Sequence, residues 1–330
     1  MTSSIHESRL AAHGVSSRGI PSTVTNHPMT HTAVDWKAVG KWAVGSVAVG
    51  MDRTFGRRSA DGLGVLVYHR IAPVVRGLPA PTMNVTPAMF RHQLEGLLER
   101  GFQIWPLRRA LSHSAQGRAF PLRTVVVTFD DGFENVFLNA WPILRDLDVP
   151  ATIFVTTAFL DADRFPFDAW GYRWGQSTDS STYRPLRTAQ CRDMLDGGLI
   201  EIGAHTHTHA DFRGRPEGFE ADLRTSVSRL DTQFGVRAPT FAFPFGRPHL
   251  GYVSPALVAA ARRTNVTCGL TTKNEVVPIG SDPFDWGRFN AFDSDTAATL
   301  AAKLDGWYGW APSVHEWLVK GRRRLRNAKT

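Results

Sequence analysis

From residue 62 onward, short apolar runs alternate with amphipathic stretches of helical period, and this alternation constrains the fold more than any other property of the chain. Seven runs read as strands: Val65 to Tyr68, Phe102 to Trp105, Thr124 to Phe129, Ala151 to Val155, Ile200 to Gly203, Thr240 to Phe243 and Thr267 to Leu270. Thr86-Pro87 gives an N-cap with proline at the first helical position, and Phe90, Leu94, Leu97 and Leu98 share one face of the helix that follows. A second helix is expected over about Phe219 to Phe234, with Leu223, Val227 and Leu230 on its buried stripe. Repeated βα units of this kind are the signature of an α/β fold around a mainly parallel sheet, and the fold expected is a distorted (β/α) barrel of about seven strands. The segment from Asp161 to Arg187, rich in Trp, Tyr, Phe and Arg, is too long for an ordinary connection and reads as a substrate-facing insertion.

Composition excludes several other classes. With 330 residues and 42% hydrophobic content, the chain can build one large barrel or two ordinary domains and is neither fibrous nor disordered. Its net charge of +8 invites a nucleic-acid reading, but Lys320, Arg322, Arg323, Arg324, Arg326 and Lys329 supply six of the positive charges. Without them 32 basic residues face 30 acidic ones, so the excess is a local tail suited at most to peripheral contact with an anionic membrane surface, and no nucleic-acid partner is expected. Cys191 and Cys268 are the only cysteines, which rules out a disulfide framework or a cysteine-rich zinc ribbon. Residues 1–61 are expected to be a disordered leader with one short helix, 62–300 the barrel, and 301–330 a C-terminal helix with the basic tail. The apolar stretch Trp42 to Met51 is far shorter than the ~20 residues needed to span a bilayer, and no clear signal peptide precedes it. A cytoplasmic or membrane-peripheral monomer is therefore expected.

Polar residues fall at the ends of the strands. His69 follows the first, Asp130 and Asp131 the third, His205 the fifth, and Pro244-Phe245-Gly246 the sixth. In a (β/α) barrel these ends converge on one rim, so groups distant in sequence meet there. His205 and His209, four residues apart, can aim both rings at one ion, and a carboxylate would complete a facial set of three ligands with open positions for water and substrate. His207 between them would point away. Consecutive residues at a strand end project in different directions, so one aspartate can bind the metal while the other addresses its water. Taken singly, the histidine pair is ordinary surface composition and Asp-Asp-Gly a common turn. Together they point to a divalent metal site.

Thr128-Phe129-Asp130-Asp131-Gly132, His205-Thr206-x-x-His209 and Phe241-Ala242-Phe243-Pro244-Phe245-Gly246 resemble the first three motifs of the polysaccharide deacetylases, the NodB-homology or family 4 carbohydrate esterases. The resemblance extends from about Gly62 to Asp293. It implies a hydrolase acting on carbon–nitrogen bonds other than peptide bonds, with Asp130 as catalytic base and Asp131, His205 and His209 as ligands of one divalent ion, zinc first, with cobalt or nickel as alternatives. Two departures accompany it. Ala242 stands where most of the family has arginine, and the C-terminal candidate for the acid histidine, His315, lies far past the barrel. Val65-Leu66-Val67-Tyr68-His69-Arg70 instead resembles the circularly permuted branch typified by poly-N-acetylglucosamine deacetylases, which assigns the general acid to His69. Arg288 is the first candidate, and Arg247 the second, to hold Asp130 ionised.

The implied reaction is removal of the N-acetyl group from N-acetylhexosamine units of an oligo- or polysaccharide. Glycan O-deacetylation by the same fold, or a non-catalytic carbohydrate-binding relative, are the alternatives. Pro244 and Phe245, with Trp170, Tyr172 and Trp174 on the insertion, offer apolar walls for the acetyl methyl and stacking faces for sugar rings. Core packing accounts for the same aromatics.

Overall fold

A computed structural model describes residues 62–307, together with 46, 47, 49–51 and 54, which are helical. The leader, the basic tail and His315 lie outside the described residues. Eight strands are formed: β1 (Gly64–Tyr68), β2 (Arg70–Ile71), β3 (Asn84–Val85), β4 (Gln103–Ile104), β5 (Thr124–Phe129), β6 (Ala151–Val155), β7 (Ile200–Ala204) and β8 (Phe289–Asn290). The helices are α1 (Pro87–Glu99), α2 (Leu107–Ala115), α3 (Trp141–Asp146), α4 (Ala169–Trp174), α5 (Thr188–Asp196), α6 (Pro216–Phe234), α7 (Pro255–Arg262) and α8 (Ala297–Leu304).

The main sheet runs β7-β6-β5-β1-β8, with β4 beside the start of β5, and every pairing in it is parallel. The segments expected as strands at Thr240 to Phe243 and Thr267 to Leu270 are reduced to single parallel bridges, Ala204 with Phe241 and Ala242 with Leu270. Beyond them the Thr271 N–H donates to the Trp286 carbonyl at 2.8 Å. Three residues on from Trp286, Phe289 and Asn290 pair with Leu66 and Val67 of β1. The hydrogen-bonded path therefore runs from β7 back round to β1.

Alternation along the strands divides the core in two. Val125, Val127 and Phe129 of β5, Ile153 and Val155 of β6, Leu66 and Tyr68 of β1, and Phe289 of β8 pack outward with the helices. The alternate positions Val65, Val126, Phe154, Ala242, Leu270 and Trp286 form the inner cluster. Continuing the inner register by two residues from the last inner-facing position of each strand reaches His69 from Val67, Asp130 from Thr128, and His205 from Gly203. Arg288 holds the same register from Trp286. Strand parity, together with the parallel direction, thus delivers four chemically active side chains to one end of the sheet's inner face.

The helices close the outer layer. Phe90, Leu94 and Leu97 of α1 are buried, and α8 approaches so closely that a methyl group at Gly96 would sit 2.4 Å from the Ala297 Cβ. Thr86 is at the N-cap, but its hydroxyl and N–H both donate to Asp293 at 2.8 Å, which ties the start of α1 to the loop after β8. Helix α6 buries Phe219, Leu223 and Leu230 and ends on Gly235 in the left-handed conformation, φ 69°. The long insertion after Asp161 contains α4 and two single 3-10 turns. No helix among the described residues is long and apolar enough to cross a membrane.

Candidate metal centre and active site

Asp131 would point away from Asp130 if the strand continued, yet it does not. Its φ of 70° is left-handed, so the chain turns back and both carboxylates face the same mouth. Asp131 Oδ1 lies 3.5 Å from His205 Nε2 and 3.4 Å from His209 Nε2. The three ligand atoms all fall within 4.8 Å of one another. The two histidines meet through a tight loop, with Thr206 at φ 65° and His209 at φ 55°. That loop is held by Asp222 of α6, whose carboxylate accepts from the His207 N–H at 2.6 Å, the Thr208 N–H at 3.2 Å and the Thr208 hydroxyl at 2.6 Å. His207 turns away from the cluster, its Nδ1 2.9 Å from the Thr157 hydroxyl. Left-handed non-glycine residues each cost on the order of 1 kcal/mol, and Asp131, Thr206, His209 and Phe245 gather that strain at one place.

The donor set fits a divalent ion. His205 Nδ1 is 2.8 Å from the Ala242 carbonyl, so this nitrogen carries the proton and Nε2 is left as the lone-pair donor facing Asp131. Two imidazole Nε2 atoms and one carboxylate oxygen, all nearly buried, form a three-ligand face of the kind that leaves positions for water and substrate. Burial would raise the Asp131 carboxyl, but His205 and His209 outweigh it and hold the acid well below the ordinary carboxylate range. His205 moves the other way: burial opposes its charge, and Asp130 and Asp131 together still raise its pKa. Burial dominates at His209 and brings it down to about 4, which leaves that ring neutral at pH 7.

Asp130 does not join the ligand cluster. Arg288 grips it with two hydrogen bonds, Nη1 to Oδ1 at 2.6 Å and Nη2 to Oδ2 at 2.7 Å, and both side chains are buried. The guanidinium is itself fixed by Nε donating to the Thr271 carbonyl at 3.1 Å and Nη1 to the Thr128 hydroxyl at 3.2 Å. Burial alone would push Asp130 up; Arg288 and then His205 overcome it, and the group stays ionised below its ordinary pKa. Arg247, the alternative expected from sequence, is exposed and makes no such pair. His69 is half-buried, and its Nδ1 is buried with no hydrogen-bond partner. Burial lowers its pKa against the opposing pull of Asp131 and Asp130.

The substrate-facing candidates separate. Phe245 is 41% exposed and meets His209 edge-on at 4.8 Å, while Pro244 is buried behind it. Gly246 is obligatory in this turn, because at φ 60° an added Cβ would stand 2.9 Å from the Thr272 nitrogen. Tyr172 is exposed, Trp174 half-buried, and Trp170 buried with its indole N–H donating to the Pro79 carbonyl at 3.0 Å. The insertion residue that touches the cluster is Phe167, stacked on His209 at 4.3 Å and 25°. Sequence reasoning did not single out Phe167, whose one signal is its place among the aromatics of the insertion. Asp222 was missed as well, since nothing local distinguishes it from any other acid on an exposed helix face. Cys191 and Cys268 are buried, with thiols pushed up to about 12, and neither belongs to the site.

Residues 117–269 match the family described as Polysaccharide deacetylase. Over that span the chain is similar to a polysaccharide deacetylase domain. The matched span and its flanks are similar to the poly-beta-1,6-N-acetyl-D-glucosamine N-deacetylase of Staphylococcus epidermidis, 23% identical over 233 residues that cover 68% of this chain and 73% of that protein. Among solved structures, the fold resembles IcaB from Ammonifex degensii, with a TM-score of 0.62 at 23% identity over 75% of this chain and 98% of that one. It also resembles the Streptococcus pyogenes deacetylase PplD in complex with acetate, with a TM-score of 0.61 at 20% identity over 74% and 99%. Asp130, Asp131, His205 and His209 lie inside the matched span. His69 precedes it and Arg288 follows it, and both return to the same mouth through β1 and β8.

Proposed function

We propose that this protein is a metal-dependent hydrolase that removes the N-acetyl group from N-acetylhexosamine units of an oligo- or polysaccharide. The observation that carries this reading is the pairing of a three-ligand cluster, Asp131, His205 and His209, with a separate carboxylate, Asp130, clamped by a buried arginine. One acid is committed to an ion and the other is kept ionised and free of it. The name of the staphylococcal relative supports the substrate class.

Asp131, His205 and His209 would hold one divalent ion, with zinc the first choice for a set of two imidazoles and one carboxylate. Bound there, the ion would supply Lewis-acid polarisation of the acetyl carbonyl and a water acidified towards neutrality. Asp130 would accept the proton of the attacking water. Arg288 would keep that carboxylate ionised and aimed, leaving each oxygen one lone-pair direction for the water. A backbone N–H near Phe245 would donate to the tetrahedral oxyanion. His69, as imidazolium, would protonate the departing amine nitrogen, since an amine anion is a poor leaving group. Pro244 and Phe245 from one side and Phe167 from the other would enclose the acetyl methyl. Tyr172, exposed on the insertion, would offer a stacking face for a sugar ring further out.

Acetate released from β-1,6- and β-1,4-linked N-acetylglucosamine oligomers, measured before and after chelation and zinc addition, tests the reading. Zinc-dependent release is expected, and Asp130→Asn should abolish it while one ion per chain stays bound. No release from any N-acetylated glycan by the zinc-loaded protein would overturn it.

A further inference from the structure

Arg70 is 2% exposed and immediately follows His69; Asp168 is 7% exposed and immediately follows Phe167. Their side chains meet, Arg70 Nη2 to Asp168 Oδ1, at 2.6 Å. Two residues 98 positions apart are therefore joined by a buried ion pair, and each stands beside a side chain at the mouth. On one side is the proposed proton donor, and on the other the ring stacked on the ligand candidate His209.

The rest of the environment makes this pair a clamp rather than a chance surface contact. Asp168 is the N-cap of α4 and accepts from the Trp170 N–H at 3.2 Å and the Gly171 N–H at 3.1 Å, so its carboxylate is fixed before Arg70 reaches it. The Arg70 guanidinium lies 4.0 Å over the ring of Phe133, which follows the Asp130-Asp131-Gly132 turn. Nε and Nη1 of Arg70 are buried without partners. A guanidinium left with two unused donors is expensive to bury, and Asp168 is the acid that pairs with it. Elsewhere the insertion is tied at its far end, where Pro185 bridges to Phe133 and Arg184 pairs with Glu134 at 2.6 Å. The stretch that carries Phe167 is also held by the Trp170 indole on Pro79 and by buried Phe165, whose ring meets Phe133 at 4.8 Å, but Arg70–Asp168 is the ion pair that ties it to the segment bearing His69.

We propose that Arg70 and Asp168 are a positioning pair that sets the separation between His69 and the Phe167–His209 wall, and so controls proton delivery to the leaving amine. The proposal rests on the deacetylase reading above for its kinetic consequence, but the clamp itself can be tested without turnover. The pair touches no reacting atom. It acts through its chain neighbours, and small misplacement of a positioned group costs on the order of 10- to 100-fold in rate.

The test uses Arg70→Met, Asp168→Asn and the double variant, in the full chain, each normalised to folded protein carrying one zinc ion. Asp168→Asn keeps an N-cap for α4 and removes only the charge. Each single variant is expected to lower kcat by about 10- to 100-fold with KM changed less than about threefold, and the double variant to be no worse than either single one. The limb of the kcat pH profile that reports His69 should move with them, which a purely structural lesion would leave in place. Unchanged kcat per zinc-loaded molecule, or losses that multiply in the double variant, would overturn the proposal. If the wild-type protein releases no acetate, the deacetylase reading fails and amide hydrogen exchange decides the clamp by itself. Faster exchange over residues 161–174 in Asp168→Asn supports it, and unchanged exchange overturns it.

Discussion

Arg288 and Asp130 form a two-pronged ion pair, at 2.6 and 2.7 Å, between side chains with almost no exposure. The arginine comes from the residue before β8 and the aspartate from the residue after β5, so the pair joins two strands that do not neighbour each other but share β1. It occupies the inner face of the sheet just beneath the candidate metal cluster.

Breaking that pair should cost stability and activity separately. Arg288→Met leaves Asp130 buried without its counter-charge, and loss of one partner of a buried pair costs about 3–5 kcal/mol. Thermal unfolding should show a correspondingly large drop in Tm. Arg288→Lys keeps a charge but cannot form two parallel hydrogen bonds, so acetate release should fall at least tenfold with a smaller loss of Tm.

The acid–base behaviour of the metal-free protein follows from His205. Its pKa is raised above 6.5 by Asp130 and Asp131, so the interaction stabilises the fold fully below the unfolded value and is lost as pH rises through the folded one. An ion requires His205 deprotonated and competes with that proton. The gain in Tm on adding zinc should therefore grow from pH 6 to pH 8, with proton release on binding detectable in weakly buffered solution. A zinc-induced gain that shrinks over that range would contradict the assignment of His205 as a ligand.

Phe167 and Phe245 confine the His209 ring from two sides, stacked at 4.3 Å and edge-on at 4.8 Å. Phe167→Ala should free the ring and weaken zinc binding by about 10-fold, in the range found for outer groups that orient a ligand. Competition with a chromophoric chelator measures this. Tyr172→Ala, out on the exposed rim, should leave zinc affinity unchanged and raise KM for oligomers more than for a monosaccharide.

Much of the architecture is legible in the sequence because it depends on pattern. β5 and β6 coincide with the expected runs, and β1 and β7 differ from them by one residue. The segments at Phe241 and Leu270 are hydrogen-bonded to their neighbours but form one isolated bridge each, short of the strands their apolar runs suggest. β8 has two residues, too few to show a period, and is not among the runs expected as strands. The meeting of Asp131, His205 and His209 follows from strand ends converging on one rim. What pattern cannot supply is the left-handed turn at Asp131 that swings two consecutive acids to the same side, or the stacking of Phe167 from a loop without periodicity. The Arg70–Asp168 contact is of the same kind: each residue is unremarkable in its own segment, and only folding reveals its partner.

Metal content and acetate release, measured together on protein stripped by chelation and titrated with zinc, address the central claim most directly. Activity should rise in proportion to occupancy and saturate at one ion per chain, and the Asp131→Asn/His205→Ala/His209→Ala variant should bind none at that site and release no acetate. Full turnover by stripped protein, or stoichiometric zinc retained by the triple variant, would contradict the assignment of these three side chains as the catalytic metal site.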